Sequence, residues 1–209
     1  MFTPRREHAR FCSVRCRAAW NRDRALGDPA VEVSALRWSI LAMSDITERL
    51  PGVRAEDRPG AFAAIGDAVW CVTIVDAALV RHHLGAYDGA MAGQTPAERR
   101  QVEGTLAGLR FVRNRIAHEV ELAEFIEPGA PGPGAGKGPI TGWTWKAMPE
   151  PALALPSPRA QAWEMTRYRA YQAQLAGHTI GETLGRAVAF LERTAANAIT
   201  DISAHAAPT

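Results

Sequence analysis

Apolar residues recur at helical spacing along five stretches of the chain. From Ala30, the residues Val31, Ala35, Leu36, Ile40, Leu41, Met43 and Ile46 follow one another to Leu50, where Pro51-Gly52 stops the run. A second helix is predicted from about Arg58 or Gly60 to His83. Its middle, AVWCVTIVDAALV, is apolar nearly all round, the pattern of a helix at the centre of a bundle. Asp67 and Asp76 interrupt it on opposite faces, so both cannot point into one core. The segment 84–94, LGAYDGAMAGQ, reads as a loop. Thr95-Pro96-Ala97-Glu98 is a strong helix start, with Thr95 as cap, Pro96 at the first helical position and Glu98 completing a capping box. That third helix should run to about Glu119–Glu124.

Residues 128–139, PGAPGPGAGKGP, hold nine Gly or Pro in twelve positions, which reads as a mobile excursion. ITGWTWK over 140–146 suggests a short extended or hairpin piece, with Trp143 and Trp145 on one face covering an apolar patch or a cleft edge. Two helices close the chain. One spans about Pro158 to Leu175, offers Trp163, Met165, Tyr168, Tyr171 and Leu175 for packing, and ends at Gly177. The other runs from near Thr179 to about Ile202, with Leu184, Val188, Leu191 and Ala195 along one stripe. The sum is an all-α bundle of four to five helices with a Gly/Pro-rich insertion (about 127–157) and a short hairpin near 140–147. The helical domain covers 30–205, and a basic arm covers 1–27.

Composition adds one asymmetry. Residues 1–24 carry seven arginines against Glu7 and Asp23, a net +5, so the rest of the chain sums to −3. A basic head on a mildly acidic body suits an anionic partner. Three cysteines cannot build a disulfide framework, which points to a reducing cytoplasm. No apolar run reaches about 18 residues and no apolar segment follows the first arginines, so neither a spanning helix nor a secretory signal is expected.

The most informative stretch is Leu109-Arg110-Phe111-Val112-Arg113-Asn114-Arg115-Ile116-Ala117-His118-Glu119. On a helical wheel Val102, Leu109, Val112, Ile116 and Val120 form a core stripe, bordered by Leu106. Glu103, Ala107, Phe111, Asn114, His118 and Glu121 share a different side. Asn114 and His118 are one turn apart and can meet, whereas Arg113 lies about 140° from His118 on an ideal helix. Convergence of the two then needs a bend, a bridging substrate or a second copy of the chain. A plain structural role is the alternative: a histidine near a helix C-terminus is favoured by the dipole, and Arg113 and Arg115 could pair with Glu119.

This segment resembles the signature of the HEPN superfamily (higher eukaryotes and prokaryotes nucleotide-binding domain): Arg, often followed by Asn, then His after four to six residues. Here it reads Arg113-Asn114-Arg115-Ile116-Ala117-His118. The resemblance implies metal-independent RNA cleavage by a homodimer, with both motif copies lining one cleft and no cofactor required. His118 would act as general acid/base on the 2′-hydroxyl or the leaving oxygen. Arg113 would stabilise charge on the phosphorane, and Asn114 would orient His118 or bind phosphate. Other members keep the fold without cleavage, so a non-catalytic module that binds nucleic acid or a regulatory partner stays open. Toxin members often carry Tyr two residues after the His; Val120 stands there, which weakens an antitoxin partnership. The acidic residue often present on the preceding helix has candidates in Asp67 and Asp76.

In the arm, Arg10-Phe11-Cys12-Ser13-Val14-Arg15-Cys16-Arg17 resembles the second half of a small bacterial zinc finger. Cys12 and Cys16 supply two of four zinc ligands, with His8 a third candidate; an upstream Cys-x-x-Cys is lacking. Either the start lies further upstream or the finger has decayed into a basic arm. A transcription regulator working through that finger is a third functional class. Arg5, Arg6, Arg10, Arg15, Arg17 and Arg22, with Trp20 to stack on a base, are candidates for nucleic-acid binding, joined by Arg115 in the motif. His82-His83 is read as complementing a helix C-terminus rather than as a metal pair.

Overall fold

A computed structural model describes residues 29–53, 56–119, 122–129, 142–151 and 157–206. The arm, with the calls on its arginines, Trp20, Cys12 and Cys16, lies outside the described residues, as does most of the Gly/Pro excursion.

The architecture is mostly helical, with a small two-stranded sheet. The five predicted helices form as α1 (Pro29–Glu48), α2 (Arg58–His82), α4 (Pro96–Glu119), α6 (Pro158–Gln174) and α7 (Ile180–Ala206), joined by the shorter α3 (Leu84–Ala92) and α5 (Leu122–Phe125). Capping fixes several starts. Asp57 accepts from the Gly60 amide, and Ser157 from the Ala160 amide. Before α4, the Thr95 amide donates to Glu98 at 2.9 Å and the Glu98 amide donates to Thr95 Oγ1 at 3.3 Å, the reciprocal box that the sequence signalled. Gly177, at φ 78°, turns the chain from α6 towards α7.

α4 packs against α6, α2 and α7, while α1 and α3 close the bundle on α7. Gly108 allows the closest crossing: a Cβ there would meet Leu175 Cδ1 at 2.8 Å and the Tyr171 backbone at 3.0 Å. The α7 stripe of Leu184, Val188, Leu191 and Ala195 is buried as predicted, and so are Leu36 and Met43 of α1. Val31 and Leu41 of the predicted α1 stripe are instead exposed, alongside Trp38. That stripe was wider than the surface α2 and α7 can cover.

Two expectations need correction. Residues 84–92 are helix, not loop. Ala86, Tyr87, Ala90 and Met91 are buried at helical spacing against α7, with the Tyr87 ring 5.1 Å from Phe190, so packing overrides the glycine signal. Next, Trp143–Trp145 forms strand β2, but its partner is β1 (Ile126–Pro128) across the excursion rather than a neighbour within 140–147. Both indoles are buried as one face, and Trp145 Nε1 donates to Thr183 Oγ1 at 2.8 Å. The side of α4 that carries Glu103 and Asn114 also contributes to the core. Phe111 is fully buried among Phe125, Tyr168 and Tyr171.

α2 is long and apolar enough to cross a membrane by length and composition alone. Half of its most apolar stretch is buried in the bundle, and Asp76 lies within it at no solvent exposure.

Candidate functional site

Two polar clusters hang from α4, three residues apart in sequence. The first is internal. Asp76 of α2 accepts from Tyr87 Oη at 3.0 Å through Oδ1, and from Arg110 Nε at 2.7 Å and Nη2 at 2.5 Å through Oδ2. Both carboxylate oxygens are therefore satisfied, the condition on which a buried charge is tolerated. Burial first and the neighbouring Asp76 second push the Tyr87 phenol well above its ordinary range, so it stays a neutral donor. The cluster borders a groove of about 570 Å³ that also receives Asp88, Arg99 and Glu103. There Arg99 donates to Glu103 at 2.9 Å, so this cation is compensated as well.

The second cluster holds the motif. Arg113 is half-buried and donates from Nη2 to Asn114 Oδ1 at 2.8 Å. Its guanidinium lies over the Trp70 ring of α2, 5.6 Å from the centroid. Its Nε is buried with no hydrogen-bond partner among the described residues. Asn114 then donates from Nδ2 to Glu164 Oε2 of α6 at 3.2 Å. The same carboxylate oxygen accepts from Arg167 Nη1 at 3.1 Å, and Arg167 lies over the Trp163 ring at 5.7 Å. A continuous chain thus runs Trp70–Arg113–Asn114–Glu164–Arg167–Trp163 across three helices.

Of the predicted catalytic residues, Arg113 and Asn114 are brought into hydrogen-bond contact. His118 lies on the same helix, within the last turn of α4, and its side chain lies outside what is described. The amide of Asn114 is engaged by Arg113 and Glu164; the expectation that it orients His118 concerns a side chain outside the described residues. Arg115, predicted to bind nucleic acid, is half-buried. Between the two acidic candidates, the geometry divides the roles. Asp76 is the satisfied buried carboxylate, tied to Arg110 and not to Arg113, while Asp67 is exposed. Asp67 and burial together raise the Cys71 thiol, burial being the larger cause, so that thiol is less reactive than a free cysteine.

Sequence reading missed Glu164. It is buried at 7% exposure on a helix scanned for its apolar positions. Its signal was available: the lone carboxylate of α6, set among Arg159, Arg167 and Arg169. Glu32 was also missed. It comes within 3.7 Å of His83, whose ring burial holds below its ordinary pKa. No group of three or more metal-ligating side chains occurs among the described residues.

Compared with protein-family models, curated proteins and solved structures, the chain matches none.

Proposed function

We propose that this protein is a metal-independent endoribonuclease of HEPN type that acts as a homodimer and leaves 2′,3′-cyclic phosphate ends. The observation that carries the reading is the state of Arg113. It sits half-buried, five residues before His118 on one helix. It donates to a neutral amide oxygen and rests on an indole face, with no carboxylate partner among the described residues. Arg110, one turn earlier, is by contrast neutralised by Asp76. A half-desolvated guanidinium that meets no carboxylate among the described residues is set to receive a phosphate, since its planar fork matches two phosphate oxygens.

In this reading His118 takes the 2′-hydroxyl proton, the 2′-oxygen attacks the adjacent phosphorus, and the 5′-oxygen leaves as it gains a proton. Arg113 stabilises the charge that builds on the non-bridging oxygens. Asn114 holds the guanidinium in place rather than the imidazole.

The test is cleavage of mixed RNA by purified protein in excess EDTA, wild type against His118→Ala. Cleavage by wild type with 2′,3′-cyclic ends, absent in the variant, supports the enzyme. Intact RNA with both proteins, binding retained, replaces it with the non-catalytic nucleic-acid module.

A further inference from the structure

We infer that Trp163, flanked by Arg159 and Arg167 on α6, is a base-stacking subsite for single-stranded RNA beside the motif; this rests on the RNA-directed reading of Arg113 above. The starting observation is an indole in the wrong place for packing. Trp163 is 61% exposed, although its apolar bulk would suit it for packing, and it lies beside the exposed Arg159 and Thr166 rather than on the buried face of Glu164 and Tyr171. An exposed indole of this kind usually swings freely, but this one is held. Arg167 lies over its ring at 5.7 Å, and Arg167 is itself tied to Glu164, a buried carboxylate that also receives Asn114. The ring is therefore pre-organised by a chain of contacts that ends at Arg113, while most of its surface stays open to solvent.

Charge then selects the occupant. The charged residues of α6 are Arg159, Arg167, Arg169 and Glu164. Glu164 points inward, so Arg159 and Arg169, both exposed, and the partly exposed Arg167 present only positive charge to solvent. Arg159 and Arg167 lie one turn either side of Trp163, about 6 Å of helix rise each way. An aromatic face between two cations on one helix stripe offers stacking for a base and charge for the phosphates on either side of it. An apolar protein surface would desolvate those guanidinium groups without bringing them an anion. A duplex would offer no free base face to the indole. The geometry therefore favours an unpaired strand, running along α6 towards Arg113.

The probe is a short 2′-O-methyl RNA strand, which lacks the attacking hydroxyl and so reports binding without cleavage. Wild type should bind it, and Trp163→Ala should weaken binding by about 5- to 100-fold. Trp163→Phe should retain most of the affinity, because a ring face remains. A strand with abasic positions should bind wild type about as weakly as the intact strand binds Trp163→Ala. Unchanged affinity in Trp163→Ala overturns the subsite. So does equal affinity for the annealed duplex. A change of oligomeric state in Trp163→Ala, read by sedimentation, overturns it too, because the indole would then be covered by a second copy. The two readings fail separately. Trp163-dependent binding without any cleavage of ordinary RNA removes the enzyme and leaves the subsite, whereas cleavage that ignores Trp163 removes the subsite and leaves the enzyme.

Discussion

Arg110 and Arg113 stand one turn apart on α4 and do opposite things. Arg110 reaches back to α2, where Asp76 is fully buried and Tyr87 completes its shell. Arg113 finds an amide and an indole, neither of which cancels its charge. The difference lies in the partner supplied by the neighbouring helix. Where α2 offers a carboxylate, the arginine becomes part of the framework. Where α2 offers a tryptophan, the arginine rests on an indole face and meets no carboxylate among the described residues. A buried pair holds the fold together chiefly because breaking it is costly, not because forming it gains much. A guanidinium with no buried carboxylate against it has less of that cost to lose, which is why the proposed function gives Arg113 a role in binding rather than in stability.

The strongest test of this contrast is Asp76→Ala. It strands Arg110 and removes the acceptor of Tyr87, and it should cost about 3 kcal/mol, at the lower end for a buried pair because Arg110 keeps some solvent contact. Urea unfolding measures this directly, and the melting temperature should fall by roughly 6–12 °C. The protein that remains folded should still cleave RNA. Arg113→Ala should show the mirror image. Cleavage should fall by about 100-fold or more, with stability within about 1 kcal/mol of wild type, and Arg113→Lys should restore only part of the rate because the fork is lost. Equal losses of stability in the two variants would erase the distinction drawn here.

A smaller effect comes from Tyr87→Phe, which removes one hydrogen bond to Asp76 and leaves the Arg110 contacts intact. The expected cost is about 1–2 kcal/mol, again by urea unfolding and again without change in cleavage. The smallest effect separates folding from chemistry on the pH axis. Burial lowers the folded-state pKa of His83 below the ordinary value of 6.5, against the pull of Glu32. The unfolded chain therefore takes up this proton first. Stability is at its full value above about pH 6.5 and declines as the pH falls below it, until the folded-state pKa is passed. His83→Gln should flatten that decline in urea midpoints measured across the range. The pH profile of cleavage should be unmoved, because the proposed function assigns it to His118.

Much of the framework was legible because it is written locally. Caps at Thr95 and Glu98, the stop at Pro51-Gly52 and the stripe on α7 are decided by residues a few positions apart. α3 was not legible, since Gly85 and Gly89 argue for a loop and only the surface of α7 argues for a helix. β1 escaped because three residues carry little periodicity until Trp143–Trp145 returns beside them. The motif singled out Arg113 by the Asn after it and the His four residues beyond that, yet nothing local said that Arg110 would be paired with a carboxylate and Arg113 with an indole. That choice rests on Asp76 and Trp70, some forty residues away along the chain. Glu164 was hidden for the same reason, since its partner Asn114 is fifty residues upstream.

The small sheet has a consequence beyond packing two tryptophans. β1 and β2 are antiparallel, and the Gly129 amide donates to the Gly142 carbonyl at 2.9 Å, so the two ends of the connection between them are held side by side. Closing a connection between two such fixed posts grows costlier only with the logarithm of its length. By closure entropy alone, a change in the length of that connection costs little, and the paired strand ends set where such a change would be registered by the bundle.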